Sequence, residues 1–326
     1  MVCAIGDLHI SDDRPWSFEV SKKMVNYIIN HPFNNSENIL VFLGDVTDKA
    51  FLSGPVISLV EHLFKSLVCK HIYVIKGNHE ITLNKAGKET YVLDFLRSSV
   101  FHNVTLVEEQ MVFEDGEDFY LLLPWIRQTH TRNMKKEYEA LQFPSEQRPF
   151  TAVFGHLQEA SLNLPGESID LSHIPTKHFC LGHIHNPSER CIGSVIPNSV
   201  SEAQKARSFR SYEKGEMEII PIQSLLDYYE VEYPEPLPVV DCDIPVFTIY
   251  NCADKTVAKE KYGDIYIRDC KYKISLNLSK ESDNKEGMDS LRNMKPLDLF
   301  QAFKKITTFN PSEIGDIAEQ YLMITN

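Results

Sequence analysis

Short apolar runs alternate with amphipathic stretches through the first half of the chain. Residues 2–5 (VCAI), 39–43 (ILVFL) and 72–75 (IYVI) are uninterrupted apolar runs of strand length, and 119–123, 152–154 and 179–181 repeat the theme. Between them, 15–30 and 55–68 carry apolar residues at helical spacing. Phe18, Met24, Val25 and Ile28 line one side of the first; Val56, Leu59, Val60, Leu63, Phe64 and Leu67 recur through the second. Asp12 or Asp13 is placed to cap the first helix, with Pro15 in its first turn. Strand and helix alternation predicts an α/β fold with helices on the faces of a sheet.

The pattern changes after residue 230. Tyr233-Pro-Glu-Pro-Leu-Pro238 packs three prolines into six residues, which predicts an extended connection closing a first domain over 1–230. A small second domain follows over 239–280, with strands expected at 246–250, 265–268 and 272–278. The segment 281–295 is charged and polar and reads as a linker. Two amphipathic helices close the chain over 296–324. Leu297, Phe300, Phe303 and Ile306 stripe the first; Ile314, Ile317, Ala318 and Tyr321 stripe the second, with Ser312 as its cap.

Composition narrows the class. The 326 residues are 43% hydrophobic and 24% charged, as in an ordinary globular protein. The net charge is −13, and residues 101–250 hold nearly all of the excess, with 23 acids against 11 bases. That balance argues against coating nucleic acid by bulk charge, while leaving room for a local site. Seven cysteines, odd in number and never spaced CxxC, argue against a disulfide framework or a thiolate zinc site and for buried thiols in a reducing cytoplasm. No apolar run reaches the ~18 residues of a membrane span. The start, MVCAIGDLHI, lacks the basic and apolar regions of an export signal, so a cytoplasmic protein is expected.

Five apolar runs end in polar clusters, each introduced by glycine: Gly6-Asp7-Leu8-His9, Gly44-Asp45-Val46-Thr47-Asp48, Gly77-Asn78-His79-Glu80, Gly155-His156 and Gly182-His183-Ile184-His185. In open α/β sheets ligands gather beyond the carboxyl ends of the strands, so five such clusters can converge. The glycines are expected to let the backbone turn sharply and approach a ligand. Asp7 and His9, like His183 and His185, are two apart and face one way in extended chain. Mixed nitrogen and oxygen donors without thiolate suit Mn, Fe, Zn or Co better than Ca. Two such ions roughly 3.5–4 Å apart form a clamp for phosphoester hydrolysis.

The ordered series DLH, GDVTD, GNHE, GH and GHIH resembles the calcineurin-like metallophosphoesterase superfamily over residues 1–225. The resemblance implies a β-sandwich flanked by helices, then a small α+β cap domain and a C-terminal helix pair. It implies one metal held by Asp7, His9, Asp45 and His185, and another by Asp45, Asn78, His156 and His183. It makes His79 the group that contacts the scissile phosphate and protonates the leaving oxygen. Glu80 and Asp48 are expected to orient His79 or a ligand. The arginine that protein phosphatases carry after the second motif is missing here, where Lys49-Ala50 follows Asp48.

Other features look like the SbcD family, the nuclease subunit of SbcC–SbcD-type complexes. Leu123-Pro124-Trp125 resembles its LP-aromatic turn, and Ile192-Gly193-Ser194 its GS element. The compact length is similar to that of bacteriophage members, which would work in the host cytoplasm. This resemblance implies a manganese-dependent DNA exonuclease and endonuclease acting in recombination, repair or degradation. Its partners would be DNA and an SbcC-like coiled-coil ATPase docked on the terminal helices. A homodimer through the phosphoesterase domain is within what it implies. Asp48 stands where some members carry a second histidine. The alternative is a metallophosphoesterase acting on a small phosphodiester or a phosphoprotein. Candidate DNA contacts are Lys205, Arg207, Arg210 and Lys214, with Lys271 and Lys273 on one face of an expected strand, and Tyr228-Tyr229 as a stacking or core pair.

Overall fold

The computed structural model describes residues 1–271 apart from 84–87, 130, 145, 147, 163, 166–167, 198, 204 and 241. The strand expected at 272–278, Lys273, the linker at 281–295 and the helix pair at 296–324 lie outside the described residues. The six apolar runs singled out above all form strands. β1 (Val2–Ile5), α1 (Ser17–Asn30), β2 (Ile39–Phe42), α2 (Gly54–Ser66) and β3 (His71–Ile75) come first. The short pair β4 (Ile81–Leu83) and β5 (Glu89–Tyr91) follows, then β6 (Val104–Val107), β7 (Met111–Asp115) and β8 (Asp118–Leu123). Next are α3 (Met134–Glu139), β9 (Phe150–His156), β10 (Thr176–Gly182), α4 (Val200–Ala203), β11 (Arg207–Glu213) and β12 (Glu216–Ile222).

Two sheets face each other. One has the order β12-β11-β1-β2-β3-β6 and the other β10-β9-β8-β7. The apolar runs alternate sides, as a pleated strand must. Val2, Ala4, Val41 and Leu43 point inward against Tyr120, Leu122, Ala152 and Phe154 of the second sheet. Ile5, Leu40, Phe42 and Val74 point outward, where Val25 and Ile28 of α1 and Val60 and Leu63 of α2 cover them. Strands buried on both faces explain why these runs are apolar throughout. The structure is therefore a β-sandwich with helices on an outer face.

One local expectation changes. Neither Asp12 nor Asp13 caps α1, which begins behind Trp16 with no side-chain cap. Asp12 instead accepts from the Ser53 hydroxyl (2.5 Å) and Asp13 pairs with Lys49 (2.5 Å). α2 follows the rule: Ser53 accepts from the Val56 amide and proline sits in the first turn.

A third sheet contains β13 (Leu226–Glu232), β14 (Ile244–Tyr250) and β15 (Tyr266–Lys271), all parallel, with α5 (Lys255–Tyr262) crossing between the last two. β13, which carries Tyr228-Tyr229, hydrogen-bonds to β14 and not to either sandwich sheet. The proline-rich segment is thus the crossover between β13 and β14 rather than the join between two bodies. Leu226, Ile244 and Val246 enter the same apolar cluster as α1, and Lys23 of α1 reaches Asp243 (3.1 Å). All seven cysteines are free thiols, and those at 3, 69, 180, 191 and 252 are buried. Among the described residues no helix is long and apolar enough to cross a membrane.

Candidate metal centre

The loops leaving β1, β2, β3 and β10, with the last residue of β9, meet at one end of the sandwich. They bring together Asp7, His9, Asp45, Asn78, His79, His156, His183 and His185. Three overlapping groups form: Asp7, His9 and His185; His9, Asp45 and His79; and Asp45, His156 and His183. Within each group one donor atom per residue lies within 4.8 Å of the others. His9 Nε2 and His185 Nε2 are 3.0 Å apart. Asn78 Oδ1 is 2.9 Å from both His156 Nε2 and His183 Nδ1. Asp45 Oδ2 lies 3.2 Å from His156 Nε2 and 4.0 Å from His9 Nε2, so it stands between the two halves.

The backbone reaches this arrangement through the ligands themselves. His9 (φ 48°), Asp45 (φ 45°) and His183 (φ 75°) all adopt left-handed backbone, which side-chain-bearing residues seldom do and which gathers at functional sites. Of the five glycines that open the clusters, Gly44 alone supplies such a turn, with φ 97°. Gly77 serves by close approach: a Cβ there would sit 2.2 Å from Asp45 Oδ1.

Hydrogen bonds fix which atoms face the centre. His156 Nδ1 donates to the Leu43 carbonyl (2.7 Å), which turns Nε2 inward. The His183 amide donates to Asp7 Oδ2 (2.8 Å) and the His79 amide to Asp45 Oδ1 (3.0 Å). His79 Nδ1 donates to the Asp48 carbonyl (2.6 Å), leaving Nε2 3.9 Å from Asp45 Oδ2. The His79 side chain is 38% exposed, whereas those of His9, Asp7, Asp45 and His156 are almost wholly buried.

The electrostatics are those of a crowded acceptor site. Burial pushes the Asp7 carboxyl up, and the Asp45 charge adds to it against the pull of His156. Asp45 is held well below the usual carboxylate range, because the contacts to His156, His9 and His79 outweigh its burial. Burial works against protonating His156, but Asp45 and Asp7 raise its pKa to about 9. Burial and the neighbouring His156 lower His183 to about 4. Asp7 Oδ1 is buried without any hydrogen-bond partner. A buried orphan oxygen, with carboxylate, amide and imidazole acceptors crowded around it, is what divalent cations relieve. The donor set therefore fits two metal ions.

Asp48 and Glu80 act around this centre. Asp48 Oδ1 lies 3.2 Å from His9 Nδ1, while its carbonyl holds His79. Glu80 is fully buried and accepts from the amides of Thr47 (3.1 Å) and Gly77 (3.2 Å), tying the second motif loop to the third. Burial, reinforced by Asp45, raises its pKa to about 8. Two further neighbours carried no assigned role. Glu202 Oε2 lies 3.5 Å from His185 Nδ1, and Ser199-Val-Ser-Glu202 has the spacing of a capping box that could have flagged it. Trp125, noted only as part of a turn, packs against His183 with ring centres 5.0 Å apart.

The basic run divides. Arg207 is buried, donating to the Ser194 hydroxyl (2.9 Å) and to the carbonyls of Ser194 and Glu202. Arg210 is buried too, donating to the carbonyls of Phe179, Ser188, Glu189 and Cys191. Both guanidiniums satisfy buried backbone, so neither is a DNA contact; the run hid a strand, β11, whose arginines point into the protein. Lys205 and Lys214 are exposed, Lys214 at the tip of the β11–β12 hairpin. Lys271 is exposed and paired with Asp269.

Comparison with known proteins agrees with the geometry. No curated protein matches the chain significantly. A family model described as calcineurin-like phosphoesterase matches residues 1–187, more than half of the chain and a span that includes every residue of the metal centre. The chain belongs to the calcineurin-like phosphoesterase family.

Proposed function

We propose that this metal-dependent hydrolase is a DNA phosphodiesterase of the SbcD type. It would act as exonuclease and endonuclease beside an SbcC-like ATPase, with manganese as its cation. The observation that carries the reading is a cleft of about 300 Å³ that starts at His9, Asp48 and His79 and runs to Leu226 and Tyr228 of the third sheet, past Arg14 and Trp16. A wall contributed by a separate sheet suits a substrate longer than one phosphate group.

Asp7, His9, Asp45 and His185 would hold one cation, and Asp45, Asn78, His156 and His183 the other. When bound, the cations supply charge neutralisation and an activated water. The chain's residues do the rest. Leu43 and Asp7 fix the His156 and His183 loops through the hydrogen bonds given above. The Asp48 carbonyl accepts from His79 Nδ1–H and so turns Nε2 toward the centre. In the imidazolium form the Nε2 proton would pass to the departing alkoxide, leaving a neutral ring with its proton on Nδ1. An alkoxide leaving group needs such a donor, and histidine suits it near neutral pH.

The test is manganese-loaded protein on linear duplex DNA, with and without an SbcC-type ATPase, beside a bis-aryl phosphodiester. Nucleotide release by the native chain and none by Asp45→Ala is expected. Turnover of the aryl ester, with DNA untouched in both settings, would overturn the reading in favour of a small-phosphodiester hydrolase.

A further inference from the structure

Arg14 lines the cleft and Arg268 covers Tyr228, which also lines it; neither arginine has a role in the metal centre. Arg14, in the turn before α1, lies over the Trp16 ring with its guanidinium carbon 5.8 Å from the centroid. Arg268, on β15, lies over the Tyr228 ring at 5.5 Å. Both arginines are exposed, and both charges act on the Tyr228 hydroxyl, so they flank one ring from two different parts of the fold. The acids beside them in sequence are already engaged: Asp13 with Lys49 (2.5 Å) and Asp269 with Lys271 (3.2 Å). Ser17 and Ser21 of α1 line the same cleft, the Ser21 hydroxyl accepting from the Ser11 amide (3.3 Å). The first amide of that helix is already engaged, Ser17 N–H donating to the Arg14 carbonyl (3.1 Å), so the arginines are the groups left to meet an anion.

We propose that the mouth of this cleft is a second phosphate subsite, which binds the phosphate next to the scissile one in a polynucleotide strand. Arg14 and Arg268 take the phosphate, and Tyr228 with its guanidinium cover offers a flat surface to the adjoining base. The proposal rests on the DNA reading and sharpens it. A chain of net charge −13 gains no affinity from bulk attraction, so a strand must be held by a few placed cations. Guanidinium suits the task because it can bond a phosphate through two donors while stacked on a ring. Aromatic faces add base stacking that is indifferent to sequence.

The test is binding of a fluorescent single-stranded deoxynucleotide 10-mer to the full chain in EDTA, read by anisotropy across a salt series. Without metal there is no hydrolysis, so failure here and failure of the nuclease reading are separate results. The native chain and Lys70→Ala, altered at the far end of β3, are expected to bind alike. Arg14→Ala and Arg268→Ala should each weaken binding about tenfold, and the double variant should flatten the log–log salt slope by about 0.7, one single-strand phosphate. Tyr228→Ala should weaken binding about 5- to 100-fold with the slope unchanged, and Tyr228→Phe should restore it. No binding by the native chain, or equal binding by the arginine double variant, overturns the proposal. A chain that binds the 10-mer through these residues but never cleaves DNA with manganese would keep the subsite and remove the nuclease assignment.

Discussion

The metal centre and the mouth of the cleft lie side by side, yet they are built on opposite terms. At the centre, Asp7, Asp45 and His156 are buried, each is held by at least one backbone hydrogen bond or close acceptor, and three residues accept left-handed backbone to be there. At the mouth, Arg14 and Arg268 are exposed and held by stacking on a ring. The first arrangement fixes a reaction, because misplacing one acceptor leaves others buried without a partner. The second can change without loss of the fold. The sandwich carries the metal centre; on the proposed reading, the third sheet and the turn before α1 add the groups that choose the substrate.

The largest effect should come from crowding the centre. Gly77→Ala would drive a Cβ to 2.2 Å from Asp45 Oδ1, so either the third motif loop or the bridging carboxylate must move. Loss of metal binding with near-complete loss of hydrolysis is expected. Retention of full metal content would mean that the loop yields at little cost.

His79→Ala should come next. It removes the proposed proton donor and leaves the proposed metal ligands in place, so metal content should persist. Hydrolysis of DNA should fall about 10²- to 10⁴-fold, the usual range for a positioned acid. A p-nitrophenyl diester, whose leaving group needs little protonation, should lose far less. Equal losses on the two substrates would give His79 a role other than proton delivery.

Glu202→Gln tests the edge of the centre. The carboxylate lies 3.5 Å from His185 Nδ1, and such outer partners typically govern 10- to 100-fold in metal affinity. Calorimetric titration with manganese should find a weakening of about that size, confined to one of two sites.

The smallest effect is a pH trend. Glu80 is raised from 4.5 to about 8 and His156 from 6.5 to about 9, so both bind a proton more tightly folded than unfolded. Their stabilisation is complete below those ordinary values and is lost as pH rises through the folded ones. Asp45 and Asp48 are shifted downward, and their contribution is lost only in acid. Metal-free protein should therefore melt at progressively lower temperature from about pH 6 to about pH 9. With divalent cation the fall should be offset, since His156 must give up its proton to bind metal. A melting temperature in EDTA that rises with pH would contradict these shifts.

How much of this was legible in the sequence follows the same division. β1, β2 and β3 are largely buried and announce themselves as apolar runs, and each candidate ligand follows within a few residues of its strand's end. That the five clusters converge is therefore readable from residue order, whereas the division of ligands between two cations, with Asp45 as the bridge, is what the family resemblance implies. The turn chemistry was not readable, because left-handed His9, Asp45 and His183 have no compositional mark. β11 was hidden for a physical reason: Arg207 and Arg210 serve buried carbonyls, so a core strand carries the charge of a surface. β13 was hidden by Asp227, Tyr228, Tyr229 and Glu230, half-solvated residues of a small sheet, and by prolines that mark a crossover instead of a boundary. Glu202 meets His185 only through tertiary folding; the capping-box spacing marks it as a helix-start residue but not as a neighbour of the metal centre.

The central claim is that Asp7, His9, Asp45, Asn78, His156, His183 and His185 hold two divalent cations across one bridging carboxylate. Metal content per chain, measured by mass spectrometry after manganese loading and exhaustive dialysis, tests it most directly. The account predicts two ions per native chain and a loss of at least one in Asp45→Ala. A native chain that retains none, or an Asp45→Ala chain that retains the native number, would contradict it.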